Sequence, residues 1–321
     1  MNIQDLRYFH ELVNLKSYTK TAEKFGVSQP TITAAVKRLE NRFGGTFLIR
    51  DQPHKSIIIT RLGVQFDEHV QSILNEINIV EEEIKQNQNA SIPFGLPPII
   101  GRNYFPKIVS QLFAKGLLHR LNVIENGSYD LYHLLLEGYI NFSMLGLTKV
   151  NVEPGIKLEV VKSYPMCIVV SKTHPLATKK AISFKEIANE NFIGLSSDYI
   201  HTKALDRMLK KSKINLNTIY RSPDVTVVKN IVAQNLGISY LTTLSITEND
   251  DVISIPLLDK DQPKFILAAA TRENHIMTDA EEEFWEILTQ ISLRRQVLNL
   301  YATIVGAKYY ETQSTPIFNA K

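Results

Sequence analysis

Residues 24–43 read KFGVSQPTITAAVKRLENRF. A glycine, a serine and a proline stand just ahead of a helical pattern. Gly26 tolerates a positive φ and can end a preceding helix. Ser28 is a preferred N-cap type, and Pro30 falls in the first turn, where a missing N–H costs nothing. Ile32, Val36, Leu39 and Phe43 then recur at helical spacing and form an inward stripe. Gln29, Pro30, Thr33, Ala34 and Lys37 lie opposite, with Arg38 flanking. A face kept merely soluble would carry Glu–Lys pairs. This one carries groups that suit a duplex groove: an amide for base edges, small groups for thymine methyls, and cations for guanine or phosphate.

Upstream, Ile3, Leu6, Phe9 and Val13 make one apolar face, which predicts a helix from about 3 to 15. Thr19 is the expected cap of a second, short helix that turns Ala22 and Phe25 inward. A short helix, a glycine turn and a second helix have helix-turn-helix spacing. Thr19, Ser28 and Thr31 therefore join the expected DNA-contacting set. Downstream, FLIRDQPHKSIIITRLG reads as strand, turn, strand, because DQPHKS is rich in turn formers and IIIT is β-branched. Such a hairpin is a wing. Arg50, His54 and Lys55 sit on or near its tip, where they would meet phosphates or the minor groove. The competing reading is a generic three-helix cluster with a polar outer face.

At this point the residues match a family. SYTKTAEKFGVSQPTITAAVKRLENRFGGTFLIRD, followed by ITRLG, resembles the N-terminal winged helix-turn-helix of LysR-type transcriptional regulators. The Ser-Gln-Pro start, the Arg-Leu-Glu near the helix end, Arg50 and the Thr60 to Gly63 segment fit in order. Thr21 stands where the family usually has a second alanine, and Ile49 where a charged residue is common. SYT, SQPTIT and LIRDQPHKS are also similar to malolactic-fermentation regulators within this family, which would imply malate as effector.

The chain has 321 residues, 44% hydrophobic and 21% charged, as in soluble proteins of about two domains. Its net charge of +3 excludes a polycation that coats nucleic acid. Residues 1–60 nevertheless hold nine Lys/Arg against five Asp/Glu, and residues 61–89 hold two against six. A basic head before an acidic segment is compatible with nucleic-acid binding by the head. The single cysteine, Cys167 in the apolar run MCIVV, excludes a disulfide within the chain and reads as a buried structural thiol. The N-terminus lacks the build of a signal peptide, and no apolar run approaches the roughly 20 residues of a membrane span. A cytoplasmic, nucleoid-associated bacterial protein without membrane contact is expected.

Leu62, Phe66, Val70, Ile73, Ile77, Val80 and Ile84 follow a heptad-like pattern. A helix with that stripe needs a cover. A second copy of the chain is one, since a two-fold protein suits a two-fold operator, and the family's linker helices pair between chains. The chain's own second domain is the other. The expected layout is a winged helix-turn-helix over 1–60, a linker helix over 61–88 and an effector-binding domain over 91–292, with an extension over 293–321. That extension reads as a helix to about Val305 and then a disordered end.

Within 91–292, short β-rich runs (IPFGL, LNVIE, INFSML, MCIVVS, NFIGLS, ISYLT, FILAAAT) alternate with helical patterns. Alternation predicts an α/β sheet layout. SYPMCIVVSKTHPLA looks like the crossing into a second lobe and PKFILAAATREN like the return. Lobe 1 would then cover about 91–162 and 265–292, and lobe 2 about 163–264. The family resemblance implies the same: two α/β lobes similar to periplasmic binding proteins, with a small-molecule cleft between them. The fold class is thus an all-α winged helix-turn-helix followed by a two-lobed α/β effector domain.

In such clefts strand ends and helix N-termini converge, and the latter favour anions. Candidates by position are Pro98, Ile99 and Ile100 at the first strand's end, and Gly127 and Ser128 between the second strand and its helix. Gly146, expected just after INFSML, joins them, with Ser196, Ser197, His201 and Thr202 ahead of KALDRML, and Thr226 and Thr242 further on. Plain N-capping competes for each hydroxyl. His201 would make the response pH-sensitive near neutrality unless it is a surface histidine.

No GxSxG, phosphate loop, GxGxxG or HExxH occurs, and the histidines lack ligand spacing. A non-enzymatic regulator without cofactor or metal follows. Its expected partners are duplex operator DNA, a small organic-acid effector, further copies in a homodimer or homotetramer, and RNA polymerase. A solute-binding protein fits the second domain but leaves the head unused. A nucleoid coat would be more basic and need no cleft.

Overall fold

The computed structural model describes residues 2–51, 56–89, 91–150, 154–197 and 199–289. They divide into two compact units, one ending at Gln88 and the other beginning at Asn89. The expectations for His54, Lys55 and the 293–321 extension lie outside the described residues.

The first unit opens with α1 (Ile3–Leu15), whose N-cap Asn2 accepts from Asp5 N–H in a capping box. Leu6, Phe9 and Leu12 are buried, while Ile3 is half exposed because it precedes the first full turn against the core. The cap of α2 (Tyr18–Phe25) is Ser17, whose side chain accepts from Lys20 N–H, so Thr19 sits inside the helix rather than at its start. Gly26 closes α2 at φ 64°, the left-handed turn a Cβ would strain. Ser28 caps α3 (Gln29–Phe43). Ile32, Ala35, Val36 and Leu39 are buried, but Phe43 is half exposed, its ring tilted against that of Phe66.

The wing is β1 (Leu48–Asp51) paired antiparallel with β2 (Ser56–Ile59), Leu48 opposite Ile59. Glu40 explains the Arg-Leu-Glu triplet: its carboxylate accepts from the N–H groups of Phe47 and Leu48 and ties α3 to the wing. Thr60 Oγ1 donates to Thr46 O and accepts from Gly63 N–H at the start of α4 (Arg61–Asn89). At Gly63 a Cβ would collide with the Phe47 carbonyl oxygen, so only glycine lets α4 approach the wing.

The expected seam on α4 divides in two. Phe66 stacks on Phe47 and meets Phe9 edge-on, and Val70 is fully buried. Both complete the head's own core, a correction to their placement between chains. Leu62, Ile73, Val80 and Ile84 remain about half exposed, and Ile77 is partly covered.

The second unit has two lobes. In the first, β3 (Ile92–Gly95) runs parallel between β4 (Leu121–Ile124) and β5 (Phe142–Leu147), and β11 (Lys264–Arg272) joins β5 antiparallel. A long strand, β6 (Ile156–Ser171), pairs with β11 up to Pro165 and then leaves it for β9 (Ser239–Thr242) and β10 (Val252–Pro256). The parallel pair β7 (Asn191–Leu195) and β8 (Asn217–Ser222) completes the second lobe. Helices α5 (Pro98–Asn103), α6 (Pro106–Ala114), α7 (Ser128–Leu136), α8 (Ile200–Ser212) and α9 (Val225–Ala233) intervene, and α10 covers 279–289. Phe94, Phe142, Phe284 and Trp285 pack α10 onto lobe 1. Cys167 is buried, and burial pushes its thiol up to about 12.

Candidate functional site

Two sites emerge, one in each unit. On the head, Gln29, Pro30, Ala34 and Lys37 are exposed along α3, and Thr31 and Thr33 are partly so. Thr33 bonds back to the Gln29 carbonyl, and Ser28 Oγ lies 2.8 Å from Thr31 Oγ1. Ser28 and Thr31 thus fasten the helix start, with Thr19 exposed on α2. Arg38 reaches sideways: its Nη2 and Nε donate to the two carboxylate oxygens of Asp5 at 2.6 and 3.1 Å. Asp5 is buried, and that guanidinium holds its carboxyl below the usual range. Arg50 pairs with Ile57 across the wing.

In the second unit, a cleft opens between the lobes. It is narrow, with ≈ 370 Å³ of empty space that includes open solvent. Six candidates line it: Pro98, Ile99, Ile100, Gly127, Ser128 and His201. Sequence reasoning missed Pro97, Tyr199, Ile200 and Phe265, which line it too. Phe265 had no signal, since an aromatic in a strand run reads as core.

Local structure differs from expectation at three points. Pro98, Ile99 and Ile100 form the first turn of α5, not a strand end, because Pro97 and Pro98 leave the strand ladder and preset helical φ. Gly146 lies inside β5, where a Cβ would meet the Phe265 ring at 2.7 Å and Ile200 Cδ1 at 2.8 Å. It does not line the cleft itself but packs against two residues that do, and its N–H donates to Ser128 Oγ of the lining at 2.9 Å. His201 is 3% exposed, not at the surface, and burial pushes its imidazole down to about 4. It is therefore neutral at pH 7, and its burial corrects the alternative that it is a surface histidine.

The other hydroxyls are engaged elsewhere. Thr202 Oγ1 donates to the carbonyls of Leu195 and Ser196, and Thr242 caps the turn that follows β9. Ser196 is half-buried and Ser197 exposed in the loop before α8. Thr226 Oγ1 accepts from Arg102 Nη1 at 2.6 Å, and the same nitrogen donates to Asp224 Oδ1 at 2.7 Å. Arg102 on α5 thereby ties lobe 1 to the start of α9 in lobe 2, a clasp that sequence alone could not pair.

The helix starts give the cleft its electrostatics. The α7 and α8 N-termini, one from each lobe, end in its wall at Gly127–Ser128 and Tyr199–His201. Neither start has a side-chain cap hydrogen bond. Such ends carry partial positive charge. No lining residue is Lys, Arg, Asp or Glu. Among the described residues no cluster of His, Cys, Asp and Glu is placed to hold a metal, and no helix is long and apolar enough to cross a membrane.

A winged helix-turn-helix joined to a two-lobed binding domain defines a DNA-binding transcriptional regulator with an effector domain. Residues 3–64 match the bacterial regulatory helix-turn-helix protein, lysR family, and residues 85–292 match the LysR substrate binding domain. The chain belongs to the LysR family of transcriptional regulators. It is 32% identical to a malolactic fermentation system transcriptional activator of Lactococcus lactis subsp. lactis, over 90% of this chain and 98% of the relative. It is 21% identical to the DNA-binding transcriptional dual regulator OxyR of Escherichia coli K12, covering 90% and 95%. Among solved structures, full-length BenM superposes with a TM-score of 0.53 at 21% identity, covering 92% of this chain and 98% of BenM. The effector binding domain of QuiR in complex with shikimate superposes at 0.54 and 19% identity, over 62% of this chain and 95% of that one. These relatives are regulators, and no enzyme family is indicated.

Proposed function

We propose that the chain reads a palindromic operator with paired heads and changes its hold on DNA when a small organic acid enters the inter-lobe cleft. The observation that carries the effector class is the meeting of two uncapped helix starts, α7 and α8, in one cleft wall. Their N–H groups favour an anion, and a cleft of ≈ 370 Å³ favours a small one. Malate is the first candidate, because the relative at 32% identity is a malolactic fermentation activator. Binding that favours a closed arrangement of the lobes shifts the population of assemblies, and with it the spacing of heads, DNA bend and polymerase access.

On DNA, Gln29, Pro30, Thr33 and Ala34 face base edges while Lys37, Arg50, His54 and Lys55 meet backbone or groove. The exposed part of α4, from Ile73 to Ile84, pairs with a second copy, and dimers assemble further into tetramers. The site of action is the bacterial cytoplasm, on the nucleoid. A redox response through a reactive thiol does not fit a chain whose one cysteine is buried with a raised pKa.

The test has two arms. Genome-wide mapping of bound DNA identifies the operator, and on it Gln29→Ala relaxes sequence preference by about 1–3 kcal/mol. Lys55→Ala weakens binding to every sequence and lowers the salt slope by about 1. Operator discrimination untouched by Gln29→Ala sinks the base-reading face. For the cleft, malate and related acids raise the thermal midpoint of the wild type and not of Ser128→Ala.

A further inference from the structure

This inference rests on the cleft being the effector site and concerns the proton balance of binding there. Neither ring nitrogen of His201 has a hydrogen-bond partner, although both are buried. A buried polar group left unpaired costs the full desolvation of that group, so each one in a native fold calls for an explanation. This one sits in the wall of a cleft.

An anion entering the cleft meets two helix starts, the Ser128 hydroxyl and this imidazole, but no fixed cation in the lining. Burying a charge without a counter-charge is costly. We propose that an organic-acid effector binds with uptake of one proton from solvent onto His201, forming a buried imidazolium–carboxylate pair. One N–H bond forms on the ring with a proton released by the buffer; the proton stays on nitrogen, and that N–H donates a hydrogen bond to the carboxylate. The Phe265 ring, 5.5 Å from the imidazole between centroids, adds a π-face beside the new cation.

The surroundings of His201 supply no competing charge. α8 packs on β7, β9 and the short turn Phe184–Ile187. β7 brings no titratable side chain; β9 brings Tyr240, a buried phenol whose pKa is raised. From the turn, Glu186 pairs with Lys179 and Lys185 is exposed. On α8 itself, Lys203 lies over the Tyr129 ring, and Asp206 and Arg207 are exposed. On the cleft side, Tyr199 is the other titratable lining residue, and the Arg102 guanidinium is held by Asp224. Burial alone lowers the pKa of the empty site's histidine, with no charged neighbour contributing.

The sign follows. The empty site is neutral at pH 7 and the filled site protonated, so acid pH strengthens binding. Calorimetry of L-malate, succinate and L-lactate binding to the full chain, in buffers of different ionisation heat, reads the proton count. About one proton taken up, with Kd rising about tenfold per pH unit from roughly pH 6 to 8, supports the proposal. His201→Gln then binds weakly and with a flat pH profile. Should that variant not fold, the wild-type proton count and the NMR shift of the His201 ring on binding still decide. Binding without proton uptake overturns the inference and leaves the carboxylate site standing on its helix starts. A pH slope retained in a folded His201→Gln also overturns it. No binding by any of these acids at any pH overturns both the inference and the carboxylate reading.

Discussion

Asp5 is a buried carboxylate whose bidentate partner, Arg38, is about half exposed. The pair joins the first helix of the head to the flank of α3 and so fixes the angle at which α3 presents its outer face. Because water reaches the guanidinium, the pair is weaker than a fully buried one. Removing Arg38 still leaves a buried carboxylate with less than it needs. Arg38→Ala is expected to cost about 1–2 kcal/mol in urea unfolding at pH 7. The pKa of Asp5 is lowered in the fold, so this contribution is full above the ordinary value of 3.8 and fades as pH falls through the folded value. The gap between wild type and variant therefore narrows in acid; a constant gap would mean Arg38 acts only by packing its stem. Gly63 makes a second residue-scale case. Gly63→Ala forces a methyl into the Phe47 carbonyl and is expected to destabilise by about 1–3 kcal/mol.

At the scale of elements, helix α10 is pinned to lobe 1 by one acid. Glu281 accepts from Asn141 Nδ2 at 2.9 Å and from Thr278 N–H and Oγ1, with His275 Nε2 at 3.2 Å. These partners outweigh its burial and hold the carboxyl at about 2, against an ordinary 4.5. Glu281→Gln is expected to lose roughly 2–3 kcal/mol at pH 7. Since the folded pKa is depressed, the loss is full above pH 4.5 and shrinks below it, which urea titrations at neutral and acid pH check. The network also shows where sequence reading stopped. The helix over 279–289 was legible from the periodicity of TDAEEEFWEILTQI, but its anchor at Asn141 lies 140 positions away. The third helix of the head was legible because cap, proline and stripe agree within fifteen residues. β8 was not, since five of its six residues are exposed and give no apolar run. β10 and the first half of β6 were missed as well, and α5 hid behind two prolines that read as a strand ending. The cleft was half legible: position along the chain picked its helix starts, but Phe265 comes from a strand that no local pattern ties to them.

Across the effector domain as a whole, the lobe closure proposed above would draw on contacts that bridge the lobes. The Arg102 clasp bridges them, joining α5 of one lobe to Asp224 and Thr226 at the start of α9 in the other. The pair raises the Arg102 pKa and lowers that of Asp224, so both stay charged across the neutral range. Exposed to about half on one side and a third on the other, it is screened by water and contributes at most about 1 kcal/mol to folding. Its leverage lies in the lobe equilibrium: about 1 kcal/mol lost from the closed state changes the closed population about fivefold when that state is the minor one. Arg102→Gln is therefore expected to leave the thermal midpoint of the free protein within a degree or two, yet to weaken the effector's Kd several-fold. High salt should do to the wild type what the substitution does, because an exposed pair is screened. Titration of wild type and variant at low and high salt separates the cases. A Kd that rises equally with salt in both would place the sensitivity in the ligand's own charge, and an unchanged Kd in the variant would mean that the clasp does not bias closure.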